Sequence, residues 1–186
     1  MSILSKPSLV ASQSVLITAA AGVAVSEAIE TVCNKSPEIK WVNDLMLDNK
    51  KICGILCEGA INTKSGILDY TVLGIGINLY KPENNFDEEI KDIAGYVTET
   101  ETQGLKNRLI SEIINRYFYY TNNLESKEFL DKYKKLSCVL GKEITVLKQN
   151  NKKALALDID DACRLKVKYP DGKTEYLSSG EISIKL

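Results

Sequence analysis

The sequence predicts an α+β fold, in which a mixed sheet with helices on one side is followed by a small β-barrel. Apolar residues recur with helical spacing over residues 14–32 and again over residues 105–124. Two long stretches of β-branched and other apolar residues, 51–60 and 67–80, lie between those two helices and indicate strands. From Gly141 onward the pattern changes to short strands separated by turns, which is typical of a small barrel.

The elements before residue 140 can be assigned in chain order. A first strand ends near residues 3–4, and Pro7 breaks it. The following helix is rich in alanine, which favours close packing against the sheet, and it ends before Pro37. A hairpin is predicted around the turn Asp48-Asn49. The predicted strands are 39–41, 45–47, 51–60 and 67–80, and the predicted helices are 14–32, 105–124 and about 127–136.

Two further segments complete the predicted organisation. Residues 82–104 are polar and acidic, so we expect a mobile loop with at most a short helix. The barrel strands are predicted in "EITVLK", "KALALDID", "CRLKVKYPDGKTEYL" and "EISIKL", with a turn at Asp171-Gly172. A barrel of roughly 45 residues seldom forms a sufficient core alone. We therefore expect a first domain over residues 1–139 and an appended barrel over residues 140–186.

The composition excludes several classes of site. The net charge of −1 and the presence of only three arginines argue against a nucleic-acid-binding protein. The absence of histidine excludes Cys/His zinc sites and Ser-His catalysis. Five scattered cysteines without a C-x-x-C pair are expected to be small buried hydrophobes in a reducing compartment. The most apolar segment, residues 15–25, is short for a membrane span, and the sequence shows no secretory signal, so we expect a cytoplasmic protein without membrane attachment.

Glycines on two strands predict a ligand-binding face. Because side chains alternate along a strand, Gly74, Gly76 and Asn78 share one face of the strand over residues 67–80. A strand face without side chains lets a ligand approach the backbone closely, although a bulge or a tight helix crossing would also select glycine. Gly54 repeats the pattern on a neighbouring strand, which favours the ligand-binding interpretation.

Charged and amide side chains beside this face predict a nucleotide-dependent transfer site. Lys51 opens the same strand as Gly54 and could hold a positive charge near a phosphate, whereas Lys50 fits a solvated lysine after a turn. Asn43 and Asp44 offer oxygen ligands suited to Mg²⁺, or alternatively form the turn before the hairpin.

Three segments resemble the biotin protein ligase family. "IKWVNDLMLDNKKICGILCE" resembles its K-W-P/V-N-D segment and the lysine-containing strand that follows. "VLGIGINL" resembles its G-x-G-I/V-N strand, and "SGEISIKL" resembles the G-E-I/V-S end of its C-terminal SH3-like barrel. The resemblance implies a sheet like that of class II aminoacyl-tRNA synthetases and biotin ligases, followed by an SH3-like barrel. It also implies the ATP-dependent attachment of biotin to a lysine of a biotin carboxyl carrier protein through biotinyl-AMP.

The resemblance also implies roles for individual residues. Lys51 matches the catalytic lysine that contacts the carboxylate-phosphate region in both half-reactions. Asp44 matches the carboxylate of the N-D pair, which lies near the adenylate and Mg²⁺. Val42 stands where proline is frequent and leaves the polar residues of the motif in place. The residues implied to bind biotin or the adenylate are Trp41, Asn43, Asp44, Gly54, Ile55, Leu56, Gly74, Ile75 and Asn78.

One departure from the family leads to alternatives. The family's G-R-G-R-x-G-R loop should lie upstream of a strand resembling "MSILSKP", yet no arginine precedes Arg108. We therefore expect an N-terminally truncated ligase. Because the arginines of that loop neutralise phosphate charge, its activity is expected to be impaired. A non-catalytic module that dimerises or binds the carrier protein is one alternative. A lipoate-type ligase is a second, against which the pairing of K-W-x-N-D with G-E-I/V-S argues. A homodimer that covers the exposed sheet is also expected.

Overall fold

A computed structural model describes residues 1–147 and 151–178 and the strand residues 182–183. The first sheet contains β1 (Ser2–Ser5), β2 (Glu38–Lys40), β3 (Asp44–Leu47), β4 (Lys50–Ile61) and β5 (Leu68–Ile77). Its strand order is β1-β5-β4-β3-β2. The second sheet contains β6 (Glu143–Val146), β7 (Lys152–Ile159), β8 (Leu165–Lys168), β9 (Thr174–Leu177) and β10 (Ile182–Ser183). Its order is β10-β6-β7-β8-β9, and Gly180 and Glu181 of the "SGEISIKL" motif lie outside the described residues.

Three α-helices form a layer behind the first sheet, namely α1 (Ser14–Cys33), α2 (Leu105–Asn122) and α3 (Glu128–Leu136). Helix α1 packs on the sheet, and the other two pack on α1. Helix α1 ends where Asn34 takes a left-handed conformation, with φ of 52°. The amphipathic face predicted for α2 is confirmed, because its buried residues recur every three or four positions: Leu105, Leu109, Ile113, Tyr117 and Tyr120.

The α+β class with helices on one side is confirmed. The strands pair more uniformly than in the predicted mixed sheet, which would contain both parallel and antiparallel ladders. Every ladder between the named strands is antiparallel. Parallel pairing among the described residues is confined to isolated bridges such as Ile39–Ser137 and Lys51–Ala94. The predicted hairpin turn is confirmed, because Asp48 and Asn49 both have positive φ, as a tight two-residue turn between twisted strands requires.

The apolar character of α1 comes from its position in the core. The helical segment Ala11–Cys33 is long and apolar enough to cross a membrane. The expectation that the apolar segment is too short for a membrane span, which considered only residues 15–25, was therefore wrong. However, 72% of its most apolar stretch is buried between the sheet and the other helices. This burial accounts for its composition, as expected for the central helix of a folded domain.

A carboxylate at the centre of the helical layer joins the three helices. Glu27 of α1 accepts hydrogen bonds from Arg116 (2.9 Å) and Tyr120 (2.7 Å) of α2 and from Lys132 (2.8 Å) of α3. Burial raises the pKa of Glu27, but the hydrogen bonds from Lys132, Tyr120 and Arg116 outweigh it, so the net pKa lies below its usual value. The charged form of Glu27 therefore stabilises the fold.

We expect Glu27→Gln to lower the free energy of unfolding near pH 7 by about 1–2 kcal/mol, because two cations lose their common partner. Since the folded pKa is depressed, this stabilisation is present above the ordinary carboxyl pKa and is lost as pH falls through the lower folded value. Urea unfolding at neutral pH and below about pH 4 should therefore give a smaller difference in acid. The control is Glu88→Gln, whose exposed pair with Lys91 should matter little. Equal effects of both substitutions, or a difference independent of pH, would contradict the prediction.

Candidate active site

A lysine-carboxylate pair lies at the end of the β3–β4 hairpin. The Nζ atom of Lys51 is 2.6 Å from Oδ1 of Asp44, and the side chains are 47% and 20% exposed. Asp44 pairs with Gly54 across the two strands. A Cβ atom at Gly54 would lie 3.3 Å from Cε of Lys51, so the absence of a side chain there leaves room for the lysine. The two predicted residues therefore meet over the predicted glycine.

A β-bulge places Lys51 on this face. Leu45 pairs with Cys53 while the next residue, Met46, pairs with Lys51, so Ile52 is an extra residue in β4. Strict alternation would have placed Lys51 with Cys53 on the buried face. The extra residue turns the lysine to the face of Gly54. The bulge was not predicted from the sequence.

The glycines on the outer face of β5 are not required by packing. A Cβ atom at Gly74 or Gly76 would meet nothing closer than 3.7 Å and 3.9 Å, which is ordinary contact. The pairing of β4 with β5 is also regular from Cys53 to Ala60. Neither a tight crossing nor a bulge explains these two glycines, whereas Gly59 is needed because its Cβ would lie 2.6 Å from the Tyr70 carbonyl oxygen. The structure thus leaves an open strip of backbone beside Lys51.

The structure divides the other predicted strand residues between the two faces of the sheet. Ile55 and Ile75 pair with each other and are only 2% and 3% exposed, so their side chains belong to the core and do not line the outer face. Leu56 is 58% exposed on the outer face, opposite Gly74. An apolar side chain thus lies beside the open backbone.

Two other predicted residues use their polar groups in hydrogen bonds within the protein. Trp41 is 2% exposed, and its Nε1 donates a hydrogen bond at 2.8 Å to the carbonyl oxygen of Cys163, in the loop between β7 and β8. Asn43 donates its side-chain amide to the carbonyl oxygen of Ile55 at 2.8 Å and accepts the Ile55 backbone N–H at 2.9 Å. Trp41 therefore has a structural position, and Asn43 fixes the backbone next to Asp44.

The segment after β5 forms one wall of a groove beside Lys51. Asn78 donates its side-chain amide to the Gly95 carbonyl oxygen at 3.0 Å, and residues 93–97 form backbone hydrogen bonds with Lys51 and Asn78. The groove has a volume of about 530 Å³ and is lined by Lys51, Gly54, Gly76 and Asn78 together with Ile90 and Ile93. These two isoleucines were not predicted as site residues, although they are apolar residues in an otherwise polar and acidic stretch of the sequence.

The chemistry available at this groove is electrostatic. Burial, together with the nearby Asp44 carboxylate, raises the pKa of Cys53 to about 12, so its thiol is not a nucleophile at neutral pH. The described residues hold no group of three or more His, Cys, Asp or Glu side chains that could bind a metal. Asp44 supplies one carboxylate, which is compatible with Mg²⁺ when phosphate oxygens provide further ligands.

Comparison with protein families gives two matches in order along the chain. Residues 3–78 match the model of the biotin/lipoate A/B protein ligase family, and residues 139–185 match the biotin protein ligase C-terminal domain. The bifunctional ligase/repressor BirA of Bacillus subtilis is 35% identical over 94 residues, covering 50% of this chain and 28% of that protein. The biotin–[acetyl-CoA-carboxylase] ligase of Mycobacterium tuberculosis is 25% identical over 172 residues, covering 89% and 61%. The matches thus span less than two thirds of these relatives.

Solved structures share the fold. The apo biotin protein ligase of Aquifex aeolicus superimposes with a TM-score of 0.76 at 22% identity, covering 99% of this chain and 81% of that chain. The same enzyme in complex with biotin and ATP gives 0.76 at 23% identity, covering 98% and 75%. The two family models match the segments that build the two sheets, with the lysine-containing hairpin inside the first. The chain belongs to the biotin protein ligase family.

Proposed function

We propose that this chain attaches biotin, in an ATP-dependent reaction through biotinyl-AMP, to a lysine of a biotin carboxyl carrier protein. The observation that carries the proposal is the position of Lys51, whose ammonium group lies over Gly54 at the open face of the groove. Family membership and the biotin–[acetyl-CoA-carboxylase] ligase relative support the same reaction. The match of residues 139–185 to the biotin protein ligase C-terminal domain favours biotin over lipoate.

In the first half-reaction a carboxylate oxygen of biotin attacks the α-phosphorus of ATP, and pyrophosphate leaves. Negative charge then accumulates on the phosphoryl oxygens. The ammonium group of Lys51 supplies a compact positive charge that stabilises this state. Because Lys51 is about half exposed, it can turn from Asp44 to a phosphate oxygen without leaving a fully buried charge unpaired.

In the second half-reaction a neutral lysine amine of the carrier protein attacks the carbonyl carbon of biotinyl-AMP. The bond between the acyl carbon and the phosphate oxygen breaks, the attacking nitrogen releases one proton to solvent as the amide forms, and AMP leaves with the charge that Lys51 can again compensate. The outer face supports this arrangement, since Gly74 and Gly76 allow close approach and Leu56 offers an apolar contact for the biotin rings. Mg²⁺ bound by Asp44 and the phosphates would neutralise further charge.

We also propose that biotinyl-AMP binds only weakly to this chain. The 186 residues contain no G-R-G-R-x-G-R sequence, so phosphate charge is met by few cations near the groove. Calorimetry is expected to give a micromolar or poorer dissociation constant, about −8 kcal/mol or weaker. Nanomolar affinity would contradict this and mean that another segment replaces the loop. Lipoyl-AMP is the matched ligand: preference for it would favour a lipoate-type ligase, and binding of neither would favour a non-catalytic module.

The exposed edge of the first sheet supports association with a second copy. Leu4, a large apolar residue that is 69% exposed, lies on β1, which is an edge strand of that sheet. We expect a two-fold dimer in sedimentation experiments at micromolar concentration. A Leu4→Lys variant should be monomeric. A monomer before substitution would contradict the expectation.

The two sheets suggest how the chain is divided. We propose that residues 1–139 contribute the partial catalytic domain and residues 140–186 the SH3-like barrel. The five cysteines are all free thiols, which supports the proposed cytoplasmic location.

A further inference from the structure

A side chain beside the candidate active site forms a hydrogen bond with the loop between β7 and β8. We infer that Trp41 is a positioning residue, which uses its hydrogen bond to the Cys163 carbonyl oxygen to set the backbone that carries Asn43 and Asp44. The contact joins residues 122 positions apart and is buried. The inference rests on the proposed function only in calling that backbone part of an active site.

The acceptor of this hydrogen bond is held in a defined loop. Oδ1 of Asp160 accepts the backbone N–H groups of Ala162 (3.0 Å) and Arg164 (2.8 Å), while its Oδ2 pairs with the Arg164 guanidinium at 2.7 Å. The Cys163 N–H donates to the Asp160 carbonyl oxygen at 2.9 Å. Cys163 itself has φ of 58°, in the left-handed region that residues other than glycine seldom adopt. The Asp160 carboxylate therefore fixes the direction in which the Cys163 carbonyl points.

Consecutive contacts connect the indole with the lysine-carboxylate pair. The carbonyl oxygen of Val42, the residue after Trp41, accepts a hydrogen bond from the buried Tyr133 hydroxyl at 2.8 Å. Asn43 then forms its two hydrogen bonds with Ile55, and the next residue, Asp44, pairs with Lys51. Because these hydrogen bonds constrain the backbone at Val42 and Asn43, a change in the orientation of Trp41 would shift the position of Asp44.

The same geometry argues against a direct contact between Trp41 and a ligand. The side chain is 2% exposed, and its one hydrogen-bond donor is already used. To stack on a nucleotide base, the indole would have to leave the core. The buried Cys163 carbonyl oxygen would then lose this hydrogen-bond donor, which is unfavourable in free energy. Trp41 therefore acts on the site through its neighbours.

Amide hydrogen exchange without any nucleotide tests the inference. Trp41→Phe keeps an aromatic ring but removes the donor, and Asp160→Ala releases the loop that presents the acceptor. Both should speed exchange of the Ile55 amide, which bonds to Asn43, by about fivefold relative to the Val25 amide of α1, since one net hydrogen bond is worth roughly 1 kcal/mol. The matched control is Asp161→Ala, which removes the neighbouring, exposed carboxylate and should leave that ratio unchanged.

A second measurement links the contact to ligand binding. The same variants are titrated with biotinyl-AMP, and Trp41→Phe and Asp160→Ala should bind it about fivefold more weakly, with Asp161→Ala unchanged. Failure of the unsubstituted chain to bind would count against the proposed function, while the exchange ratio would still decide the positioning role. An unchanged ratio in both test variants, or equal acceleration at Ile55 and Val25, would overturn the inference.

Discussion

Replacement of Lys51 by alanine is expected to lower the rate of biotinyl-AMP formation by about 100- to 1,000-fold. The expected loss is that of a single group aimed at charge that develops in the transition state. Pyrophosphate exchange at high concentrations of biotin and ATP measures the effect. Lys51→Arg should recover only part of the rate, because a planar guanidinium cannot take the place of a compact ammonium over Gly54.

The adjacent lysine provides the matched control. Lys50 donates a hydrogen bond to the Lys91 carbonyl oxygen at 3.1 Å, and its Cβ lies near Gly95, outside the boundary of the groove. Lys50→Ala should therefore change the rate by no more than about twofold, the range of exposed surface changes. Equal losses from the two substitutions would show that general positive charge, not the position created by the bulge, matters.

Gly76→Val is expected to abolish ligand binding without lowering stability. A Cβ at residue 76 meets only the Gly54 carbonyl oxygen at 3.9 Å, so the strand can accept a side chain. The valine methyl groups would fill the groove between Lys51 and Asn78, and we expect biotinyl-AMP affinity to fall at least about 100-fold. Unfolding in urea should show an unchanged or raised free energy, by up to about 1 kcal/mol, because valine suits a strand better than glycine.

A different glycine in the same sheet separates the effect on ligand binding from the effect on stability. At Gly59 the new Cβ would lie 2.6 Å from the Tyr70 carbonyl oxygen, so Gly59→Ala should destabilise the protein by about 1–3 kcal/mol. Gly59 lies away from the groove, and ligand affinity measured on the folded fraction should persist. If Gly76→Val instead lowers the free energy of unfolding while the folded fraction binds the ligand normally, the open strip is a packing feature and not a ligand site.

Much of the fold could be predicted because its signals are local. The buried face of α2 follows from the spacing of Leu105, Leu109 and Ile113, and the tight hairpin turn follows from Asp48-Asn49. Each of these patterns involves residues close together in the sequence, so side-chain periodicity and backbone preference predict it directly.

The features that were not predicted depend on contacts between two segments of the chain, which neither segment shows by itself. The bulge at Ile52 is a property of how β3 and β4 pair, and neither strand shows it alone. The resemblance suggested a ligand contact for Trp41, but its partner Cys163 is far away in sequence. Likewise, alternation could separate the two faces of β4 and β5, but the resemblance suggested ligand contacts for Ile55 and Ile75, whose side chains face the core.

The place of Trp41 between the two sheets also makes the protein its own optical probe. It is the only tryptophan in the sequence, so its fluorescence comes from a single, water-excluded indole. Separation of the sheets would expose that indole to water and shift its emission to longer wavelengths even if each sheet kept its strands. Emission and far-ultraviolet circular dichroism should therefore report coincident transitions only if the two sheets unfold together.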